Sequence, residues 1–542
     1  MSPDKLFQEK ILIYRLLFLI LLVLTATPAG SQEQLQRRDS FDVQRYSINV
    51  EVNDTSNIIE GVTGLEIMLK KPVENVYLDL ASVNNDGIGM RVDSVLKNGI
   101  RIEHDHRNNI LALPVYSYDT LENPVYNVFY RGGVEDGLII SKSMYGERTF
   151  FAENWPNRAH KWFPCIDHPS FRSKVDFTIT APAHYQVIAT GNLVKKINLP
   201  GKRTAHYWSS DIPIPTKVMV FAAAGFAVEY PGDIDGIPWS NWVYPQNMER
   251  GFSAFSGTPD ILRFFSDMIA PYPFEKIANV QSTTRYGGME NAGNIFYHER
   301  SVAGDSSIEK LIVHEMAHQW FGNSLSEKDW PHLWLSEGIA TWLTDWYVKQ
   351  KYDSEKYRER LDSHRKRIIE FSKERLAPVV DHHADSYADL LNPNSYQKGS
   401  WVLHMLRRKI GDEMVLRGLR EFYDRYKSGY AGTEDLIRVF EELTGTDLGQ
   451  FADDWLYSAG HPVLSVKTKY SNGRLTMELI QMQQHKMAFS FPLDIRFILE
   501  DGNSKDQTFE IIFRRHEFII ELPSEPADII LDPYLWLLFE LN

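Results

Sequence analysis

His314-Glu315-Met316-Ala317-His318 constrains this chain more than any other stretch. Two histidines four apart fall on one face of a helix, because four residues is close to one turn. That face offers two imidazole nitrogens to one metal ion. Glu337, in Trp334-Leu335-Ser336-Glu337-Gly338, follows His318 by nineteen residues and supplies a third ligand from a second helix. Two histidines and one carboxylate leave the fourth position of tetrahedral zinc for water, which is the layout of a catalytic site. Glu315 stands beside the first ligand, where it can take a proton from that water. Together the four residues predict metal-assisted hydrolysis.

The rest of the chain must supply a scaffold and a substrate. At 542 residues it is too long for one core and suggests about three domains. The formal net charge of -14 leaves no basic surplus to neutralise phosphates, which argues against nucleic acid. It favours cationic partners, such as peptides with a free amino group. The one cysteine, Cys165, lies in the apolar run Trp162-Phe163-Pro164-Cys165-Ile166 and reads as buried packing rather than as a nucleophile.

The first 31 residues read as a targeting segment. Lys5, Lys10 and Arg15 precede an apolar run, Leu16 to Leu24, and Ala29-Gly30-Ser31 fits a small-x-small cleavage site before Gln32. The run is shorter than the roughly 20 apolar residues of a membrane span. A cleaved signal peptide is the first expectation and a retained anchor the second; both put the body outside the cytoplasm, periplasmic or secreted.

Three regions follow. From 32 to 230, stretches such as Tyr46–Val52 and Val175–Thr180 alternate apolar and polar residues, and Asn85-Asp86-Gly87 and Arg131-Gly132-Gly133 mark turns. This predicts an antiparallel β-sandwich-like domain. From 231 to 461 helical spacing takes over, as in Ile261–Ile269 and Trp401–Tyr457, with breaks at Lys427-Ser428-Gly429 and Thr444-Gly445-Thr446. From 462 to 542 strands return, with Ser471-Asn472-Gly473-Arg474 as a hairpin turn, predicting a small C-terminal β-sandwich. The fold class expected is therefore multidomain α+β.

Two further motifs narrow the chemistry: Gly287-Gly288-Met289-Glu290-Asn291 upstream and Tyr396-Gln397-Lys398-Gly399 downstream. With His314–Asn323 and Glu337 between them, the chain resembles the M1 family of zinc aminopeptidases, in a bacterial three-domain type. The resemblance implies a thermolysin-like catalytic domain and one zinc ion held by His314, His318 and Glu337. It implies Glu315 as general base and Tyr396 as donor to the oxygen that becomes negative in the tetrahedral intermediate. Glu290 would pair with the α-ammonium of a peptide, and Gly287, Gly288, Met289 and Asn291 would line its path. Many members carry a glutamine before a Phe-Pro-Cys segment as a second contact to the amine. Glu153 stands about there, with Asn154 as rival. Larger members add a helical domain after the small β domain; its absence here implies a more open cleft and broad removal of first residues.

Other readings remain open. A zinc endopeptidase or an epoxide hydrolase could use the same scaffold, and so could a catalytically silent binding protein. Tyr387 rivals Tyr396 as the catalytic tyrosine. Asp381-His382-His383-Ala384-Asp385 reads as a solvated loop and His104-Asp105-His106 as a polar turn. Arg358, Arg360, Arg365, Lys366 and Arg367 are interleaved with acids and read as the wet side of a helix.

Overall fold

The structure is a computed structural model that describes residues 37–116, 123–304 and 307–542. The expected targeting segment, 1–31, lies outside the described residues.

Alternation builds the first domain. In Phe41–Glu51 the side chains of Phe41, Val43, Tyr46, Ile48 and Val50 are buried while their neighbours are not, with one irregularity between Val43 and Arg45. This strand lies within an eight-stranded sheet. It pairs antiparallel with Ile58–Leu69 but parallel with Ser173–Pro182, which departs from the all-antiparallel expectation. A parallel neighbour needs a long crossover, and here more than a hundred residues intervene. Smaller sheets of four and three strands complete the domain. His104–His106, expected as a turn, runs into a short strand, Asp105–Arg107, where His106 Nε2 lies 3.0 Å from the Leu80 carbonyl oxygen.

The boundary expected at 230 falls inside a strand. Ala227–Ile234 pairs with Ile237–Val243, and both belong to the five-stranded sheet of the middle domain. A half-buried strand has the same alternation whichever sheet it joins, so periodicity could not place the cut. That sheet continues through Ile277–Ser282 and Asn294–His298 to an edge strand of two residues, Gly288–Met289. Helices follow: Glu309–Ala317, Trp334–Lys351, Ser354–Glu374, Gly399–Ile410, Asp412–Tyr426 and Thr433–Thr444. Ser428 and Gly445, in the two expected breaks, adopt left-handed backbone with φ of 59° and 65°.

The C-terminal domain stacks a four-stranded and a three-stranded sheet. Its first hairpin pairs Ser471 with Arg474, and Asn472 (φ 52°) and Gly473 (φ 75°) both take the left-handed conformation of a two-residue turn.

The domains share a continuous apolar core rich in tryptophan, including Trp155, Trp162, Trp320, Trp330, Trp334 and Trp401. Polar bonds cross the first seam. Lys217 and Glu327 form a fully buried ion pair at 2.6 Å. The Arg172 guanidinium donates to the carbonyl oxygens of Pro213, Asn323 and Gly429, at 2.9 to 3.2 Å. The first domain thus grips the turn that follows the metal motif.

Candidate active site

Two helices converge to make a three-pronged donor set. His314 lies in the last turn of Glu309–Ala317, and His318 caps its C-terminus. Glu337 lies in the first turn of Trp334–Lys351, a helix buried almost all round. His314 Nε2 and His318 Nε2 are 3.2 Å apart, and Glu337 Oε2 stands 3.4 Å from the first and 3.2 Å from the second. A tetrahedral ion with ligand bonds of about 2.0–2.1 Å separates its donor atoms by roughly 3.3 Å. The donor set therefore fits a small divalent metal, and among the described residues it is the one such cluster of three.

The bonds behind these ligands aim them. His318 Nδ1 lies 3.1 Å from the Phe321 carbonyl oxygen and 3.1 Å from Ser336 Oγ. A proton on Nδ1 satisfies that carbonyl and leaves the Nε2 lone pair for the metal.

Tyr396 comes from a third segment, a single π turn at Asn394–Lys398. Such turns recur at functional sites because they push one side chain out of helical register. The Tyr396 ring lies over that of His314, with centroids 6.1 Å apart and planes at 22°. Two features hold the turn. Gly338, next to Glu337, lies so close that a Cβ there would be 3.0 Å from both Gly399 Cα and the Ser395 carbonyl oxygen. Lys398 is buried and donates from Nζ to the carbonyl oxygens of Gly460 (2.8 Å) and Ser458 (3.4 Å), at the junction with the C-terminal domain. Burial pushes its ammonium down to about 7.

Glu290 is held from the metal helix side. Its backbone carbonyl accepts from Gln319 Nε2 (2.8 Å) and Asn323 Nδ2 (2.5 Å). Gln319 Oε1 in turn accepts from the Gly293 N–H at 3.0 Å. Sequence reasoning missed both clamps. Their only signal was position, one and five residues after His318.

A cavity of about 260 Å³ joins these groups. His314, Glu315, His318, Glu337, Glu290 and Tyr396 line it, with Gly287, Gly288, Met289, Leu311, Leu391, Trp155 and Tyr286. No lysine or arginine is among these lining residues. Its electrostatics follow from burial and crowded carboxylates. Burial, with Glu290 and Glu337 nearby, pushes Glu315 well up. Burial also raises Glu290. Burial works against a charged His318, but Glu337, Glu290 and Glu315 outweigh it and lift the ring to about 10. Burial and the same three acids raise the Tyr396 phenol far above its usual range, so it stays protonated. A pocket with this excess of negative charge calls for a cation.

Comparison with known proteins agrees with this geometry. The profile of the Peptidase family M1 domain matches residues 253–455, and that of the Peptidase M1 N-terminal domain matches residues 43–218. The chain belongs to peptidase family M1. Among its M1 relatives, Aminopeptidase M1-C of Oryza sativa subsp. japonica is 28% identical over 470 residues, 82% of this chain and 53% of the relative. Aminopeptidase 2, mitochondrial, of Saccharomyces cerevisiae is 25% identical over 463 residues, 80% of this chain and 47% of the relative. The chain spans about half the length of the curated relatives it matches. The crystal structure of Legionella pneumophila aminopeptidase A in complex with aspartic acid shares the fold, with a TM-score of 0.79 at 16% identity over 93% of this chain and 60% of that one. The M1 architecture is thus a sheet-rich first domain, a helical middle domain with the metal motif and a C-terminal sheet domain.

Five residues weighed in the sequence, Glu153, Asn154, Asn291, Tyr387 and Cys165, do not line the metal cavity. Glu153 is wholly buried; its Oε1 accepts from Arg158 Nη2 at 2.5 Å and its Oε2 from the Arg285 N–H at 2.7 Å. Its rival Asn154 donates to the carbonyl oxygens of Thr216 and Met219 and accepts from Trp162 Nε1. Both are engaged elsewhere, so the structure offers neither as a second contact to a substrate amine. Asn291 is buried behind the edge strand, and among the described residues nothing hydrogen-bonds its amide. Tyr387 packs on Trp330 with centroids 5.1 Å apart and lines a neighbouring cavity. Cys165 is fully buried, and burial raises its thiol far above the usual range.

Proposed function

We propose that this M1 chain is a zinc-dependent aminopeptidase that removes the first residue from peptides. One observation carries the reading. The Glu290 carboxylate is buried in the wall of the metal cavity, and among the described residues no group bonds to its Oε1. A buried carboxylate costs several kcal/mol without a partner. The α-ammonium of a peptide is a partner of the right charge, and it would place the first peptide bond beside Glu315 and Tyr396. The names of the relatives, aminopeptidases, support the same reading.

His314, His318 and Glu337 would hold the zinc, which when bound polarises the scissile carbonyl and makes a water acidic enough to attack near neutrality. Glu315 takes the proton from the attacking water on its carboxylate and delivers it to the leaving amine nitrogen. Its raised proton affinity suits the first of these two transfers. Tyr396 donates its phenolic proton in a hydrogen bond to the developing oxyanion, an interaction worth about 3 kcal/mol. Gly288–Met289 is the edge of its sheet, so its outer backbone groups are free to pair with an extended peptide.

The N-terminal segment is proposed to direct export, a reading supported by Lys5, Lys10 and Arg15 ahead of the Leu16–Leu24 run. Among the described residues no helix is long and apolar enough to cross a membrane. A mature N-terminus at Gln32, read by Edman degradation from the native host, would agree; an intact Met1 in cytoplasmic protein would refute it.

The functional test compares aminoacyl-p-nitroanilides with their N-acetyl twins, using wild type, Glu290→Ala and Glu315→Gln. Cleavage of free-amine substrates alone, lost in both variants, is the expected outcome. Equal cleavage of the acetylated twins would replace the reading with an endopeptidase.

A further inference from the structure

Lys398 stands two residues after Tyr396, at the end of the same π turn, and its grip reaches out of the middle domain. Its side chain is fully buried. Nζ donates to the carbonyl oxygens of Gly460 (2.8 Å) and Ser458 (3.4 Å). Both lie in the link between the π turn Asp453–Tyr457 and the first C-terminal strand, Val463–Ser471. An ammonium hidden from water depends on such acceptors, and bonds from a charged donor are about twice as strong as neutral ones.

The C-terminal domain in turn fixes that link. Lys486 donates to Ser458 Oγ at 2.7 Å and pairs with the buried Asp454 at 3.0 Å. The Val463 N–H donates to Gln483 Oε1 at 3.1 Å, and the Glu540 N–H to the Pro462 carbonyl oxygen at 3.0 Å. Gly460 has a φ of 71°, and a Cβ on it would lie 2.4 Å from His485 Nε2. The ring of a C-terminal residue thus walls the glycine whose carbonyl Lys398 holds. A second clasp follows in the helix Gly399–Ile410. There His404 Nε2 donates to the Leu535 carbonyl oxygen at 2.8 Å, and its ring stacks on Trp536 at 4.9 Å and 19°.

The middle domain holds the other end of the turn. Asn394 Nδ2 donates to the Ala377 carbonyl oxygen at 2.8 Å, and Ser395 Oγ to that of Leu390 at 2.6 Å. Tyr396 therefore sits between a start tied to its own domain and an end tied to the next one.

We propose that Lys398 is a positioning residue for Tyr396, and that through it the C-terminal domain sets where the phenol stands at the metal cavity. The domain then acts in turnover as well as in stability. The proposal rests on the aminopeptidase reading, in which that phenol steadies the oxyanion. The plainer alternative is that Lys398 serves its seam alone, as Lys276 does. Lys276 is also buried and donates to the carbonyl oxygens of Ala189 (2.9 Å) and Gly191 (2.6 Å), across the seam between the first two domains.

The test is kcat, KM and metal content with an alanyl p-nitroanilide, each protein held below its melting temperature. The proteins are wild type, Lys398→Met, Gly460→Ala, Gly460→Ala with His485→Ala, Tyr396→Phe, Lys398→Met with Tyr396→Phe, and Lys276→Met. In parallel Tyr396 is replaced by 3-fluorotyrosine, and its fluorine resonance is recorded without substrate in the same backgrounds. Lys398→Met should lower kcat about tenfold, as a shift of well under 1 Å would, with KM and metal content as in wild type. In the Tyr396→Phe background the same substitution should cost less than about twofold. Gly460→Ala should move kcat and the resonance the same way from the linking segment, and His485→Ala, which clears the ring from the added Cβ, should restore part of both. Lys276→Met should change neither. Unchanged kcat and an unshifted resonance in Lys398→Met overturn the proposal; should that variant fail to fold, the same result in Gly460→Ala does so. A full tenfold loss without the phenol, or an equal loss in Lys276→Met, also overturns it. Inactive wild type would sink the aminopeptidase reading instead, and the resonance would still report whether the C-terminal domain moves the ring.

Discussion

Gly338→Ala should slow the reaction by displacing a tyrosine it never touches. The added Cβ would lie 3.0 Å from Gly399 Cα, 3.0 Å from the Ser395 carbonyl oxygen and 3.1 Å from the Gly399 carbonyl carbon. All three are backbone atoms, so no side chain can swing aside. Ordinary contact begins at 3.4 Å. The helix of Glu337 and the turn of Tyr396 must therefore part by roughly 0.4 Å, and further to reach the attractive well. Alanine is normally the better helix residue by about 1 kcal/mol. Here overpacking, at about 1–3 kcal/mol, outweighs that gain, so the melting temperature should fall. A misplacement of 1 Å can cost about a hundredfold in rate, so roughly 0.4 Å predicts about a tenfold loss of kcat. Complete loss of an oxyanion donor, at about 10²–10³-fold, sets the ceiling. The assay is kcat and KM on an alanyl p-nitroanilide, with metal content measured in parallel, for Gly338→Ala, Tyr396→Phe and the double variant. If the displacement acts through the phenol, Gly338→Ala adds little once the phenol is gone. A full tenfold loss in the Tyr396→Phe background, or a matching loss of metal, would refute the reasoning.

Three other outcomes are expected. Burial holds Lys398 near 7, below its usual 10.5, so between those values the unfolded chain binds more protons and native stability rises with pH; below about 7 that contribution is lost. Lys398→Met should remove this slope, seen as a melting-temperature gap between the two proteins that grows in favour of wild type from pH 6.5 to 9.5. Ser336→Ala leaves His318 Nδ1 with only the Phe321 carbonyl, so metal affinity, read by chelator competition, should weaken by about tenfold, the low end for such supporting groups. Glu327→Gln strands the buried Lys217 ammonium and should cost about 3–5 kcal/mol in urea unfolding, while Lys217→Met with Glu327→Leu should cost much less.

The sequence made the candidate donor cluster legible because the spacing of its two histidines is a property of one helix. His314 and His318 share a face by helical geometry, and Glu337 stands out as an acid among Trp334, Leu335, Ile339, Ala340 and Trp342. Glu290 was legible only through its motif, since its carboxylate meets the metal site across the fold. Gln319 and Asn323 were not legible as clamps, because their partner is a carbonyl 29 and 33 residues back in the chain. Glu153 misled for the same reason: Arg158 is local, but the Arg285 N–H lies 132 residues away. In the fold, turn chemistry carried furthest, as Asn472-Gly473 did. The parallel pairing of Phe41–Glu51 with Ser173–Pro182 leaves no mark in either strand.

The two hydrogen bonds on the Glu290 carbonyl have a consequence of their own. Both donors belong to the segment that continues from the helix of His314 and His318, so the backbone of Glu290 is tied directly to the segment that carries two of the three donor groups. On the proposed aminopeptidase reading, the interval between Glu290 and the donor set would act as a ruler for a single α-amino acid. A β-amino acid, one carbon longer, would overshoot the mark with its carbonyl even when its side chain fits the pocket.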